Sequence, residues 1–320
     1  MTMRILVTGA SGFVGRRLVS ELLRRRVPVR VALRHASGTP AVADASYAQV
    51  HAQGLAAADW ADAMHGCTHV IHLAARAHVL RESHEDPDLA FHSANVLNSI
   101  ACAKAAARAR VQRFVFASSI GVHGHGTGDT ALSVHSAIAP ETPYGRSKAA
   151  AESGLATVRN DTGLELTVVR PPLVYGPQAP GNFGVLLRAV QRGLPLPLAC
   201  VTQNRRSFVA LDNLVDLLIT CIDHPAAANQ TFLVSDGEDL STADLLRRLG
   251  RAMNRPARLL PVPPALLQAG AALLGKRDMA QRLLGNLQVD ITHTRDTLGW
   301  TPPLSVDDGL RRAVAGLQTP

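Results

Sequence analysis

Residues 7–15 read V-T-G-A-S-G-F-V-G, and they constrain the fold more than any other stretch. Arg4-Ile5-Leu6-Val7 before them is a short apolar, β-prone run. Val14, Leu18 and Leu22 after them recur at helical spacing with arginines between. The glycines Gly9, Gly12 and Gly15 therefore fall where a buried strand turns into a helix. Gly9 is expected to allow a tight turn, Gly12 to let the backbone come close to a bound group, and Gly15 to let the helix pack on the sheet. The helix N-terminus points unpaired N–H groups over the turn, and a pyrophosphate suits that place. Ser11, Phe13 and Val14 are counted with the glycines as contacts of that group. The plain alternative is a tight turn with no ligand.

A chain of 320 residues with 47% hydrophobic and 18% charged content is globular. No apolar run reaches membrane-spanning length, and the longest, near residues 265–274, reads as a core helix. The chain enters a strand at once, so no leader peptide is expected. Cys67, Cys102, Cys200 and Cys221 show no ligand spacing and read as reduced thiols of a cytoplasmic protein. Net charge is +8, yet aromatic residues are only 4%. Base stacking has little to work with, so neither a nucleic acid nor a membrane is expected as partner. Arg24-Arg25-Arg26 suits the negative end of the first helix. His123-Gly124-His125 lies in a glycine-rich stretch without a carboxylate beside it, and no metal is expected.

The second strand is residues 29–33. Dinucleotide-binding folds place a carboxylate at its end to hold the ribose 2′-OH of NAD. That position is Leu33, followed by Arg34. A guanidinium suits a 2′-phosphate, so NADP is favoured over NAD. Arg34 as a solvated residue, or one stacking on adenine in either cofactor, is the alternative. Residues 36–65 carry the third strand in a weak pattern. Residues 70–75, V-I-H-L-A-A, form the fourth strand and its end, followed by Arg76 and His78 where ligands bind. Residues 91–109 read as one long alanine-rich helix. The fifth strand, 113–118, ends in Ser118-Ser119. Thr142 as N-cap and Pro143 as first helical residue begin another helix. On it Tyr144 and Lys148, four apart, share a face. Residues 166–170 and 231–235 are the sixth and seventh strands. The fold class is α/β: a doubly wound, seven-stranded parallel sheet over 1–170 plus about 207–235, with a smaller, mostly helical lobe from about 171–206 plus 236–320.

Ser119, Tyr144 and Lys148 form a constellation suited to hydride transfer. A free tyrosine has a pKa of about 10 and is a poor base at neutral pH. A cation about 5 Å away, at an effective dielectric of about 20, contributes roughly 3 kcal/mol, or about two pH units. Lys148 and an oxidised nicotinamide together are expected to bring Tyr144 towards neutrality. It then exchanges a proton with a substrate hydroxyl or carbonyl. Ser119 hydrogen-bonds the same oxygen, and Lys148 also holds the nicotinamide ribose.

T-G-A-S-G-F-V-G, V-I-H-L-A-A, A-N-V-L-N-S, Y-G-R-S-K, R-P-P-L-V-Y-G-P, R-R-S-F-V-A-L-D-N and L-G-W-T-P-P together resemble the extended short-chain dehydrogenase/reductases. Within these the likeness is to the sugar-nucleotide epimerase and dehydratase group, over nearly the whole chain. The resemblance implies a Rossmann domain in which Leu73, Ala74, Ala75 and Pro171 line the cofactor and Asn95 joins the active-site hydrogen bonds. Gly54-Leu55 stands where the family shows Asp-Leu beside the adenine, so Leu55 is retained as a contact without its aspartate. The resemblance also implies a UDP-sugar substrate. Arg206 would grip its diphosphate, with Asn182 near it; Arg282, which precedes D-I-T-H-T, is read as a second cation or as a solvated helix charge, and Arg76 and His78 are counted as substrate contacts from their place after the fourth strand. A homodimer through the helices following Phe91 and Tyr144 is implied as well. In the 4,6-dehydratases Asp-Glu follows the catalytic threonine, but Ile120-Gly121 follows Ser119 here, which disfavours dehydration. The reading placed first is a reductase of a UDP-4-keto-6-deoxy-N-acetylhexosamine in surface polysaccharide (O-antigen) synthesis, which the missing carboxylate favours. The second is a UDP-hexose 4-epimerase (glucose or N-acetylglucosamine) with retained NAD. A non-enzymatic NADP sensor of the same fold is the third, and it would not need Ser119, Tyr144 and Lys148 together.

Overall fold

The strands of the computed structural model, which describes residues 3–33, 47–51, 57–77, 86–128 and 130–315, are β1 (Ile5–Thr8), β2 (Val29–Leu33), β3 (Tyr47–His51), β4 (His69–His72), β5 (Arg113–Ala117), β6 (Glu165–Arg170), β7 (Leu173–Tyr175), β8 (Arg206–Ala210), β9 (Thr231–Leu233) and β10 (Asp239–Leu240). Seven of them make one parallel sheet in the order β3-β2-β1-β4-β5-β6-β9, as the sequence leads one to expect. Strand order reverses beside β1, whose neighbours are β2 and β4. The crevice at their carboxyl ends is the place where such sheets take ligands.

The period-2 alternation of the strands sorts their side chains into two cores. Ile5, Val7, Ile71 and Val115 face one cluster, with helices α1 (Phe13–Arg24) and α7 (Leu211–Asp223). Leu6, Val70, Phe114 and Phe116 face the other. That second face is covered by α2 (Ala57–Met64), α4 (Asn98–Arg108) and α5 (Pro143–Thr162), with α3 (Pro87–Phe91) leading into α4. The helix read as continuous over 91–109 is interrupted by a π-helical turn, His92–Leu97. α5 starts as its sequence predicts: the Thr142 hydroxyl accepts from the Gly145 N–H, with Pro143 in the first turn.

A third cluster gathers α6 (Gly181–Gln191), α8 (Thr242–Ala252) and α12 (Val306–Ala315) against β8 and β10. β7, β8 and β10 form a small sheet of their own. Three motifs tie the later segments of the chain in place. The Tyr175 hydroxyl of V-Y-G-P donates to buried Asp236 at 2.6 Å. Asn213 also donates to Asp236, at 2.7 Å, and exchanges hydrogen bonds with the Leu304 backbone. Trp300 of L-G-W-T-P-P donates to Asp216 at 3.0 Å and is buried with the sheet core, as is Leu298 at the end of α11 (Thr292–Leu298). The four cysteines are free.

One expectation fails. α9 (Pro264–Leu273), read as a core helix, contains no buried residue, and neither does α10 (Arg277–Leu284). Only Leu267 and Leu284 turn inward to the third cluster. Apolar composition shows that a helix has surface to bury, not that the fold supplies a neighbour for it.

Candidate active site

The turn after β1 is shaped for close approach. Gly9 has φ +69°, and a Cβ there would lie 2.7 Å from the Ala74 nitrogen. A Cβ on Gly15 would lie 2.1 Å from the Gly9 carbonyl oxygen, so what Gly15 permits is contact between the first turn of α1 and the end of β1. A Cβ on Gly12 would meet only the Gly9 oxygen, at 3.1 Å. The helix begins at Gly12 with no side-chain cap and no acid in its first turn. Its free N–H groups and positive end fit a pyrophosphate. Phe13 and Val14 turn their side chains inward to the cores, so only their backbone can serve a ligand; Ser11 is exposed. We expect Gly15→Ala to lower the unfolding temperature, and Gly12→Ala to keep the fold but weaken dinucleotide binding. Thermal melts and dinucleotide titrations check the pair.

Across the crevice, β4 ends in Leu73, Ala74, Ala75 and Arg76. The Thr8 hydroxyl accepts from the Ala74 N–H at 3.2 Å and pairs with His72 Nδ1 at 2.9 Å. His72 Nε2 lies 3.0 Å from the Ser99 hydroxyl, which donates to the Asn95 carbonyl at 2.6 Å. Since Ser99 uses its proton on Asn95, His72 donates from Nε2 and accepts at Nδ1. Burial holds this imidazole down at about 3, with the Lys148 charge acting the same way, so it stays neutral. Asn95, on the π-helical turn, clasps Arg76. Its Oδ1 accepts from the Arg76 N–H at 2.6 Å, and its Nδ2 donates to the Arg76 carbonyl and to Ser147 Oγ, at 3.1 and 2.9 Å. Ser147 in turn donates to the Tyr144 carbonyl at 2.8 Å. The Arg76 guanidinium sits over the Phe91 ring, whose partner in an edge contact is Tyr144.

At the end of β5 the two serines separate by role. Ser118 is buried and donates to Glu152, which also takes a bidentate pair from Arg170. Ser119 is partly exposed and accepts from the Gly121 N–H at 3.1 Å, which leaves its hydroxyl proton uncommitted among the described residues. Pro171, at the end of β6, accepts from the Ile120 N–H at 2.9 Å. The Tyr144 hydroxyl has no hydrogen-bond partner among the described residues. Buried Lys148 donates to the Ala117 carbonyl at 2.7 Å, with its Nζ 4.5 Å from the Phe116 ring centre and 6.0 Å from that of Tyr144.

In the chain without a dinucleotide, Lys148 and Tyr144 are both governed by burial. Burial lowers Lys148 to about 7, against the opposing pull of Glu152, and raises the Tyr144 phenol to about 12. A lysine that gives up its proton near neutrality is a weak cation, so Lys148 alone does not depress Tyr144. Desolvation dominates both groups.

Arg206 opens β8, and the strand's neighbour is the chain just after α10. Leu287 donates its N–H to the Arg205 carbonyl and accepts from Ser207, while Arg206 Nη1 donates to the Gly285 carbonyl at 2.9 Å. Burial, and then the nearby charge of Arg282, bring Arg206 down to about 10. Neither arginine has an ion-pair partner among the described residues. The segment that follows Arg282 also holds the loop beyond Ser119: Thr127 donates to Asn286, and Leu132 to Gln288. Asn182 is exposed in the first turn of α6, with no hydrogen bond to either arginine. Arg34, Leu55 and His78 lie outside the described residues. Among the described residues no group of three or more histidine, cysteine, aspartate or glutamate side chains is placed to hold a metal ion. His123 is engaged with the Ala137 carbonyl and Arg170.

Sequence reading missed His72, Ser99, Ser147 and Glu152. Glu152 had a signal in its place four residues after Lys148. His72 had one in being a polar residue inside an apolar strand.

The model of the NAD dependent epimerase/dehydratase family matches residues 5–235. A UDP-glucose 4-epimerase of Vibrio cholerae is 42% identical over 314 residues, covering 98% of this chain and 94% of that protein. An N-acetyl-alpha-D-glucosaminyl-diphospho-ditrans,octacis-undecaprenol 4-epimerase of Escherichia coli O157:H7 is 25% identical, covering 98% of this chain and 95% of its own. A crystal structure of UDP-glucose 4-epimerase from Thermotoga maritima superposes with a TM-score of 0.79 at 21% identity, over 99% of each chain. A glycine turn at the strand reversal, a tyrosine and lysine one helical turn apart, and these likenesses agree: the chain belongs to the NAD dependent epimerase/dehydratase family of extended short-chain dehydrogenase/reductases.

Proposed function

We propose that this enzyme inverts C4 of a UDP-hexose, oxidising and re-reducing that carbon with a nicotinamide dinucleotide that it retains. The observation that carries the reading is the pair of hydroxyl protons uncommitted among the described residues, on Tyr144 and Ser119, with Ser119 at the carboxyl end of the sheet, as the glycine turn is. A dinucleotide bound at the turn supplies a hydride acceptor and donor. Gly12 admits its pyrophosphate over the turn that Gly9 and Gly15 make possible, and the backbone of Leu73, Ala74 and Ala75 flanks it with Pro171. Lys148, which gives one N–H to the Ala117 carbonyl, has a further donor for the ribose. Tyr144 Oη exchanges a proton with the sugar 4-hydroxyl, and Ser119 donates to the same oxygen. Asn95, through Arg76 and Ser147, holds the backbone around Tyr144.

What supports an epimerase is the 42% identity to the Vibrio cholerae 4-epimerase, and the family description supports NAD. The second reading, a 4-keto reductase using NADPH, is favoured by the absence of a carboxylate at Leu33-Arg34. Freshly purified protein is expected to release about one dinucleotide per chain on denaturation. Protein that emerges empty and consumes added NADPH stoichiometrically supports the reductase and overturns the epimerase.

Arg206 and Arg282, two cations without acidic partners, suit a diphosphate, with Asn182 as a further contact. Such a pair recognises the diphosphate whatever lies beyond it, a nucleoside or, as in the Escherichia coli relative, a polyprenol. Arg206→Ala is expected to weaken UDP binding about ten- to a hundredfold, the equivalent of roughly 1.5–3 kcal/mol for a charged hydrogen bond. Dinucleotide binding should change little. Calorimetric titration of each ligand separates the two: equal weakening of both would mean a loosened fold, and unchanged UDP affinity would mean a mere surface charge. We further propose pairing with a second copy along α4 and α5, the latter exposing the small residues Ala150 and Ser153.

A further inference from the structure

α9 carries no charged residue and buries none of its side chains. Leu266, Leu273 and the adjoining Leu274 are 63%, 89% and 71% exposed, and Met279 of α10 is 50% exposed. Leu266, Ala269 and Leu273 recur at i, i+3 and i+7 and share one face, while Leu267 turns to the third cluster and fastens the helix. The exposed leucines are therefore not needed for the fold. A contiguous apolar face of this kind marks a docking surface.

Its rim is basic. Lys276 and Arg277 follow the exposed leucines directly, and Arg282 lies one helical turn after Met279. None of these three has an ion-pair partner among the described residues. Over residues 251–285 six cations face a single carboxylate, Asp278. A second copy docked here by two-fold symmetry would set these cations against their own images. An anionic lipid surface accepts both parts, the leucines at the acyl boundary and the cations among the headgroups. We propose that α9 and α10 dock this protein on an anionic lipid bilayer. The contact is peripheral, because a ten-residue helix spans about 15 Å against a hydrocarbon core of about 30 Å, and no described helix is long and apolar enough to cross. Arg282 belongs to both the rim and the cation pair with Arg206. Docking therefore brings the diphosphate site to the lipid surface, a consequence that rests on the function proposed above, whereas the docking itself does not.

The test is flotation of the full-length protein with phosphatidylcholine vesicles, with and without phosphatidylglycerol. We expect flotation with the anionic vesicles. Leu273→Gln/Leu274→Gln and Lys276→Glu/Arg277→Glu should each weaken it by about tenfold or more, with the melting temperature and the turnover of UDP-hexoses unchanged. Absence of flotation by the wild type would overturn the proposal. So would variants that float as well as the wild type, or that instead break up a dimer seen by sedimentation. Failure of the wild type to turn over UDP-hexoses would overturn the proposed reaction and leave the flotation result standing.

Discussion

Tyr144→Phe lowers kcat by about a hundred- to ten-thousandfold, the contribution of a positioned acid–base group, and leaves dinucleotide affinity nearly unchanged. The structure makes this substitution clean. The hydroxyl has no partner within the described chain, so its loss strands no buried polar atom. The ring keeps its edge contact with Phe91. Helix α5 is held independently, by its Thr142 cap and by the Ser147 bond to Asn95. Steady-state kinetics with dinucleotide titration and a thermal melt check the three parts together. Wild-type turnover would remove Tyr144 from the chemistry. A lowered melting temperature would assign it to packing.

Lys148→Met abolishes turnover and stabilises the dinucleotide-free fold. Burial lowers this amine from its ordinary 10.5 to about 7, a cost of up to about 5 kcal/mol at about 1.4 kcal/mol per pH unit. Methionine fills the space without charge. It also takes from the Ala117 carbonyl a donor at 2.7 Å, a loss of about 1–3 kcal/mol. A net gain of about 2 kcal/mol is expected near pH 7. The sign with pH follows from proton counting. Below about pH 7 folded and unfolded lysine are both protonated, and the cost is full. Between about 7 and 10.5 the unfolded chain holds the extra proton, so wild-type stability from this group rises with pH. The advantage of the variant therefore shrinks from about pH 6 to about pH 9, as urea unfolding at both would read. An advantage that grew with pH would contradict the burial of Lys148 as a strained cation.

What could be read from the sequence was local. The glycine turn, the Thr142-Pro143 start of α5 and the alternating apolar strands each carry their instructions within a few residues. Their boundaries fall within a residue or two in β1, β2 and β6. What could not be read depends on which segments meet. Ser118 and Ser119 are chemically alike, and only Glu152 and Arg170 behind the first decide that the second is free. Tyr175 and Asn213, quoted in motifs, serve the buried Asp236 that ties the small sheet to its neighbours. The relay from Thr8 through His72 and Ser99 to Asn95 crosses four elements, and no spacing in one segment encodes it. For Lys148 and Tyr144, spacing gave the pairing but not the burial that shifts each of them, the lysine down and the phenol up. α9 failed for the same reason, since apolar residues say nothing about whether a neighbour arrives to cover them.

The most direct test of the central claim is to follow UDP-galactose carrying deuterium at C4 through the purified enzyme, with no dinucleotide added, by NMR. A retained dinucleotide and the Tyr144–Ser119 pair predict conversion to UDP-glucose until equilibrium, with the label kept at C4 and absent after Tyr144→Phe. No interconversion of UDP-hexoses, or conversion with the label lost to solvent, would contradict it.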